Sequence, residues 1–533
     1  MFLALTQVFW FHLIVGALKK VVLLIIVLTS IGAVLFYQNR ASTRTAGTIV
    51  KASDPDKAER EGKLLVKRYC STCHLTPSPS VLPKESWPQA LGWMGNYLGL
   101  KDERSLSQGI VNEDQIPNRP IITRAKFQLI KNYLISHAPT QQEILNTKDK
   151  NPAVNTLSRF EIKSFSKNIG SGELISLLKA DPASKRVYVG FGSKKIQTYT
   201  LNGNFISSLK LNSEPSYLEP FGKGYRVSVL GDLISDRKKG EVLEVSERNR
   251  VKVLEKNYHR LTQSNYTDID NDGRSDLLMV GYGDHHTGRI SIFWNRKTKN
   301  ASETVLSREA GALCASIYDF NGDGKKDIMV LTAQGRNDLV LYLNGGNRTF
   351  KAITILKDHA GFGYQNFTLS DLNKDGDPDI IICNGNNMEW RNPPLKSYHG
   401  VRILINNGNL TFKEKYFYPM FGAMKAIASD FDNDGDLDIA AISFFPYWNQ
   451  ENPETFTYLE NIGDFNFKIE RMSNLGWKRW MTMDAADLNG DKKTDILLGE
   501  GNLGIGIPEK NAEEFKERHR SLPSSSVMVL INK

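Results

Sequence analysis

Cysteine is scarce, with four residues in a chain of 533. So few thiols exclude a disulfide scaffold. A structural zinc site usually needs a second pair of cysteine or histidine ligands, and only two of the four cysteines are paired by spacing. Two of the four, Cys70 and Cys73, lie together in CSTCH, and the others, Cys314 and Cys383, stand alone in strand-like sequence. Buried free thiols are the expected state of that second pair, with a disulfide between them as the alternative in an oxidising compartment. Methionine is equally sparse in the first half, where Met94 is the only one between Met1 and Met279. There is no arginine-rich tract and no nucleic-acid module, so nucleic acid is set aside as a partner. No glycine-rich nucleotide fingerprint appears either. The net charge of +9 is modest for this length. It reads as a mixed solvated surface, with an acidic redox partner or an anionic membrane surface as the functional alternatives.

Residues 1–37 hold the long apolar runs. Residues 21–37 are uncharged and mostly apolar, near the shortest length that spans a bilayer as a helix, and Lys19 and Lys20 precede them. A second apolar run, residues 2–18, would make an awkward hairpin with the first, so translation is expected to begin near Leu18. Residues 1–37 are therefore expected to be an export signal that stays as a transmembrane anchor. Cleavage after Gly32 or Ala33 is the alternative. Residues 38–58 are polar and small, as in a linker.

A helical pattern follows, with Leu64, Leu65 and Tyr69 at helical spacing before Cys70, Cys73 and His74. C-x-x-C-H is the attachment signature of haem c. Two thiols three positions apart reach both vinyl groups of one porphyrin, and the next histidine lies beneath the iron. The other axial position is then open to methionine, histidine or an exogenous ligand. Met94, on a helix begun at Ser86, is the expected distal ligand. His137, at the end of a final amphipathic helix, is the alternative. Through CSTCH, the lone methionine and the flanking helices, residues 59–140 resemble a compact class I cytochrome c. A second linker, 141–158, follows.

From residue 159 the pattern changes to short β-rich runs, and a motif recurs five times. The first copy carries Asp268, Asp270, Asp272, Arg274 and Asp276, and the second Asp319, Asn321, Asp323, Lys325 and Asp327. The third carries Asp371, Asn373, Asp375, Asp377 and Asp379, and the fourth Asp430, Asp432, Asp434, Asp436 and Asp438. The last has Asp487, Asn489, Asp491, Lys493 and Asp495, with Lys492 where the others have glycine. Side-chain oxygens at positions 1, 3, 5 and 9, with a backbone carbonyl at position 7, suit Ca²⁺. Position 12 is Met279, Val330, Ile382, Ala441 and Leu498, not the glutamate of an EF-hand. Strand sequence follows each copy, so these are strand–loop–strand sites, four or five in number.

The repeat resembles FG-GAP or VCBS repeats, the blades of integrin-like β-propellers, and LNGGNRTF, INNGNLTF and ENIGDFNF resemble their outer hairpins. At roughly 55 residues per copy, residues 159–533 hold about seven blades. Two of these, within 159–257, lack the motif. Pairing of SSVMVLIN with FEIKSF is expected to close the ring. Loops that follow each second strand gather His285, His286, Arg336, Glu389, Trp390, Lys396, Tyr398, His399 and Trp448 on one face, with Arg479 and Trp480 entering from inner strands. That face is the candidate ligand or catalytic surface. Segments around PPLKSYHGVRI and WKRWMTMDAADLNG also resemble bacterial secreted proteins carrying such a propeller with or without a cytochrome.

The expected fold class is therefore multidomain: an N-terminal transmembrane helix, a small all-α cytochrome c domain and an all-β seven-bladed propeller. The expected function is one-electron transfer outside the bacterial cytoplasm, with haem c and calcium as cofactors. The propeller would be the docking platform for a redox protein, or for a glycan or protein ligand. The rival readings are a haem-linked dehydrogenase with its active site on the propeller face, and a cell-surface adhesion protein. The tryptophan-docking repeats of quinoprotein propellers are absent from the sequence.

Overall fold

The computed structural model describes residues 55–72, 74–107, 111, 113–148, 154–232, 237–283, 287–295, 302–333, 335–472 and 475–533. Seven antiparallel sheets form a propeller. Blade 1 begins with the strand Ile175–Asp181, blade 2 with Pro215–Phe221 and blade 3 with Leu261–Thr267. Blades 4, 5 and 6 begin with Ala312–Tyr318, Tyr364–Ser370 and Ala423–Ser429. Blade 7 runs from Trp480–Ala486 through Asp495–Glu500 and Val527–Asn532 to Phe160–Ser164. That last pairing is antiparallel, with Phe160 opposite Asn532, so the two ends of the propeller sequence share a blade as expected. This closure completes blade 7 from both ends of the propeller sequence, and the radial arrangement leaves only short, protected strand edges. The short strand Val154–Thr156 adds to the outside of blade 6 in parallel with Phe467–Arg471.

Position in the blade dictates composition. Second strands such as Asp276–Gly281 and Asp379–Asn384 are buried along their whole length. They lie between two strands and beneath neighbouring blades, so their sequences are continuous apolar runs rather than alternations. Outer strands such as Phe205–Lys210 alternate toward solvent. Large side chains fill the wedges between blades. Phe431, Ile442 and Tyr458 of blade 6 pack on Trp480 and Leu498 of blade 7.

Six helices complete the described residues: α1 (Pro55–Cys70), α2 (Trp87–Tyr97), α3 (Glu103–Leu106), α4 (Arg124–His137), α5 (Gln141–Lys148) and α6 (Ala512–Arg520). Lys67 and Arg68 in the last turn of α1 suit the negative end of its dipole. Thr123 caps α4 by accepting the Lys126 N–H. Helices α1 and α4 touch at Gly62, where a Cβ would lie 2.7 Å from Leu129 O and 2.8 Å from Tyr133 Cβ. Only glycine permits that approach.

The expected fold class needs correction. Residues Glu59–Lys533 form one compact unit that is mostly β-propeller with few helices, and the helical residues do not stand as an all-α domain. Physically, α1, α2 and α4 leave an open side to their shared core, and Trp390 of a propeller loop fills it beside Trp87, Leu91, Phe127 and Ile130. Among the described residues no helix is long and apolar enough to cross a membrane. The expected transmembrane segment, 21–37, lies outside the described residues.

Candidate functional site

Cys70 ends α1 and is half-buried against the helical core. The turn after it is stitched by Ser71 Oγ to Lys67 O at 2.5 Å and Thr72 Oγ1 to Tyr69 O at 2.8 Å. Cys73 lies outside the described residues. His74 is half-buried, with Nδ1 2.8 Å from Leu75 O. A carbonyl oxygen only accepts, so Nδ1 carries the proton and the Nε2 lone pair is left for a metal. That is the usual arrangement of an iron-ligating histidine. Cys70 and His74 thus carry the donor chemistry that a covalently attached haem would need, and the second thiol, Cys73, lies outside the described residues. The following loop is pinned by Trp87 Nε1 donating to Pro79 O at 2.9 Å.

Met94 is half-buried on α2. His137 is differently placed. Its Nε2 lies 3.0 Å from Glu59 Oε1 and its Nδ1 2.9 Å from Tyr133 O. With both nitrogens engaged, His137 ties α4 to α1 and is a poor iron ligand.

The candidate face of the propeller is where these helices sit. Trp390 packs against Trp93 of α2 in a tilted arrangement, with ring centroids 4.7 Å apart. The Tyr398 hydroxyl lies 2.8 Å from Val81 O and 2.9 Å from Gly361 O, joining the loop after C-x-x-C-H to blade 5. Ile144 of α5 packs on Leu395 and Phe421. Lys396 is buried, with Nζ donating to Gly361 O and Asn386 O, both at 3.1 Å. Burial holds its ammonium down to about 8. His399 is buried with neither ring nitrogen hydrogen-bonded, and burial, then Lys396 and Arg402, keep it neutral. Arg479 lies elsewhere, 3.9 Å over the Phe444 ring with Nη1 2.7 Å from Ile505 O, and burial lowers it to about 10. Trp480 is fully buried, and Trp448 donates Nε1 to Gly506 O at 3.0 Å. Glu389 is exposed, and Arg336 is exposed with Glu309 3.9 Å away. His285 and His286 lie outside the described residues. The described residues of the predicted face thus divide: Trp390, Lys396 and His399 are buried in one loop, Trp448, Arg479 and Trp480 are buried apart from them, and Arg336 and Glu389 are exposed. Of the predicted residues, Trp390 and Tyr398 meet the helical segment.

One residue of this joint was missed in the sequence. His359 lies between blades 4 and 5, its ring edge-on to Tyr398 at 5.1 Å and to Phe362 at 5.7 Å. Burial, then Lys396 and then His74, push it down to about 4, so His74 stands within electrostatic reach. Asn337 clamps the loop: its Nδ2 donates to His359 O and Ala360 O, and its Oδ1 accepts the N–H groups of Gly363 and Tyr364. A lone histidine after a strand carries no sequence signal for this role.

The five acidic loops occupy the opposite face, each joining an inner strand to the second strand of its blade. Each repeats one geometry. In the first, Asp268 accepts the N–H groups of Asp272 and Gly273, and Asp272 accepts that of Arg274. Positions 4 and 6 are left-handed in every copy. Lys492, at φ +68°, still donates its N–H to Asp487 Oδ2 at 2.9 Å, so the last loop keeps the turn without glycine. Carboxylates of Asp268, Asp270 and Asp276 converge within 4.8 Å, as do those of Asp430, Asp432 and Asp434. Asp270 Oδ1 and Asp430 Oδ1 are buried without a hydrogen bond. Convergent hard oxygens with unmet lone pairs fit Ca²⁺. Arginines partly offset the charge: Arg348 Nε is 2.9 Å from Asp270 Oδ2, and Arg159 is 3.7 Å from Asp432.

The position-9 aspartates have a second job that the spacing does not reveal. All five are fully buried. Each accepts the N–H of loop position 2 and that of an asparagine at the end of the third strand. In blade 3 these donors are Ile269 and Asn295, and in blade 7 Leu488 and Asn532. Burial raises the carboxyls, Asp438 to about 6. The available signal was the asparagine recurring in LNGG, INNG and ENIG. Cys314 and Cys383 carry free thiols; Cys383 is buried as expected, and Cys314 is half-buried.

The family described as FG-GAP-like repeat matches residues 268–330 and 319–382. The chain thus carries FG-GAP-like repeats within a seven-bladed β-propeller. No curated protein matches it. Among solved structures it is similar to the Neurospora crassa Pan2 WD40 domain, at 10% identity over 65% of this chain and 94% of that one, with a TM-score of 0.42. It is also similar to Saccharomyces cerevisiae Sqt1, at 10% identity over 72% of this chain and all of that one, with a TM-score of 0.39.

Proposed function

We propose that this protein is an electron carrier working outside the bacterial cytoplasm, with haem c on its helical segment and a calcium-braced propeller as the platform for a redox partner. The observation that carries the reading is the C-x-x-C-H turn, where the Leu75 carbonyl holds His74 Nδ1 and leaves Nε2 for iron. Cys70 and Cys73 would form the two thioether links, and His74 would be the proximal ligand. Haem supplies a centre that takes up and gives back one electron. The chain's own residues fix that centre in place. Gly62 lets α1 and α4 close, Trp390 seals the helical core, and Tyr398 ties the haem-bearing loop to blade 5. The net charge of +9 favours an acidic partner. A propeller with FG-GAP-like repeats is equally compatible with a binding platform, and the two roles coexist here. Lys396, His399, Arg479 and Trp480 are buried, which favours the carrier over a dehydrogenase that works on that face.

The test is a spectroelectrochemical titration of the full chain expressed with haem c maturation. A reversible one-electron wave with cytochrome-type visible bands is expected. Protein without such bands would overturn the reading.

A further inference from the structure

Blades 1 and 2, the two without an acidic loop, leave a gap that the other blades fill. Their first and second strands are joined by residues 182–185 in blade 1 and by residues 222–223 in blade 2. Elsewhere on this face the long acidic loops reach their neighbours. Asn271 of blade 3, for example, donates Nδ2 to Gly324 O of blade 4 at 3.0 Å. The short turns do not reach so far, and a cavity of about 400 Å³ opens between Asp181, Arg186, Phe221 and Glu247. That volume lies in the range of small-molecule sites.

Three features give the cavity its chemistry. The first is charge balance: Asp181 and Glu247 line it together with Arg186 and Lys223, so the cavity as a whole is neutral. Arg186 spans the two blades, donating Nη1 to Lys223 O at 2.8 Å and Nη2 to Glu247 Oε1 at 2.9 Å. The second is a smaller recess of about 20 Å³, bordered by the same Arg186 and Glu247 and lined by Tyr188 and Tyr225. Tyr188 is fully buried and Tyr225 is 3% exposed. Neither hydroxyl has a hydrogen-bond partner, although that of Tyr188 lies beside the Arg186 guanidinium. Buried hydroxyls normally have partners, and the recess has room for one oxygen. The third is Phe221, which is 43% exposed and carries the Arg226 guanidinium 3.6 Å over its ring.

We propose that the cavity between blades 1 and 2 binds a neutral sugar residue of a glycan, with one sugar hydroxyl in the recess lined by Tyr188 and Tyr225 and a C–H face of the sugar on Phe221. A sugar hydroxyl both donates and accepts, as a phenol does, so one such group can serve both tyrosines. A neutral ligand loses no charge solvation on entering a neutral cavity. Loss of the acidic motif from two adjacent blades is then what makes room for the ligand. The site lies on the acidic-loop face, away from the helical segment, and does not depend on the haem reading.

The test titrates the full chain with methyl glycosides of glucose, galactose, mannose and N-acetylglucosamine, and with glucuronic and sialic acids as charged counterparts, by saturation-transfer NMR and calorimetry. At least one neutral glycoside should bind saturably with one site per chain, more tightly than the charged sugars. Tyr225→Phe keeps the ring and removes one hydroxyl, and should weaken that binding roughly two- to tenfold. Because the hydroxyl it removes has no partner in the protein, Tyr225→Phe should not lower the melting temperature without ligand, which separates lost recognition from misfolding. Phe221→Ala should also weaken binding. No saturable binding of any neutral glycoside, binding of the charged sugars alone, or equal affinity in wild type and Tyr225→Phe overturns the inference. None of these results bears on covalent haem at the C-x-x-C-H turn.

Discussion

Asn461 donates its backbone N–H to Asp438 Oδ1 at 2.8 Å, joining the end of the third strand of blade 6 to the start of its second strand. The opposite oxygen, Oδ2, accepts the Phe431 N–H and the Tyr458 hydroxyl. Asp327 with Asn344 and Asp379 with Asn406 repeat the first bond at 2.8 Å. The aspartate of each acidic loop therefore holds its blade together before any ion is considered.

Replacing Asp438 by asparagine turns one acceptor into a donor that faces a buried N–H. Asp438→Asn should cost about 1–3 kcal/mol in calcium-free buffer. Asp436→Asn, which weakens only a surface ion pair with Lys374, should change stability by less than about 1 kcal/mol. Urea unfolding of the two variants checks this; equal effects would contradict the clamp.

Calcium should raise the melting temperature, and chelator should lower it. Each site filled at one hundred times its Kd adds about 2.7 kcal/mol. In the last loop, Lys492 holds a left-handed backbone that costs a side chain about 1–2 kcal/mol. Lys492→Gly should therefore stabilise the protein by about 0.5–1 kcal/mol after the entropy lost by glycine. Calorimetry with and without calcium measures both effects.

The buried Lys396 makes stability depend on pH in the alkaline range. Its folded value of about 8 lies below the ordinary 10.5. Below pH 8 both states carry the proton, and the full cost of burying the charge is present. Between 8 and 10.5 the unfolded chain binds more protons, so stability rises with pH through that window. From pH 7.5 to 10, wild type should gain about 2 kcal/mol relative to Lys396→Met. Parallel profiles would show that the ammonium is not desolvated.

Trp390 joins the helices to the propeller. Trp390→Ala should cost about 3–5 kcal/mol, as for other buried tryptophans. It should also open the helical segment to limited proteolysis while the propeller resists. Uniform cleavage of the whole chain would argue against this joint.

Much of the propeller was legible because each blade repeats a motif with its own turn chemistry. The motif fixed the blade length, the loop face and the two blades without it, and the end sequences announced the closing strand. Long-range packing was not legible. Helical periodicity around Leu65 and Ile130 reveals an apolar face but not that Trp390, some 260 residues on, covers it. That gap is why a separate helical domain was expected. The candidate face failed for a related reason: loop composition places Lys396 and Arg479 at one end of the barrel but does not tell a buried cation from an exposed one. C-x-x-C-H was read from five adjacent residues, whereas His359 becomes meaningful only once the chain is folded.

The most direct test is the pyridine haemochrome spectrum of protein expressed with haem c maturation, taken after denaturation and acid–acetone extraction. The account predicts that one haem stays with the polypeptide, with the spectrum of two saturated vinyl groups, and that Cys70→Ser with Cys73→Ser abolishes it. Haem that extracts completely, or its persistence in the double variant, would contradict covalent attachment at this turn.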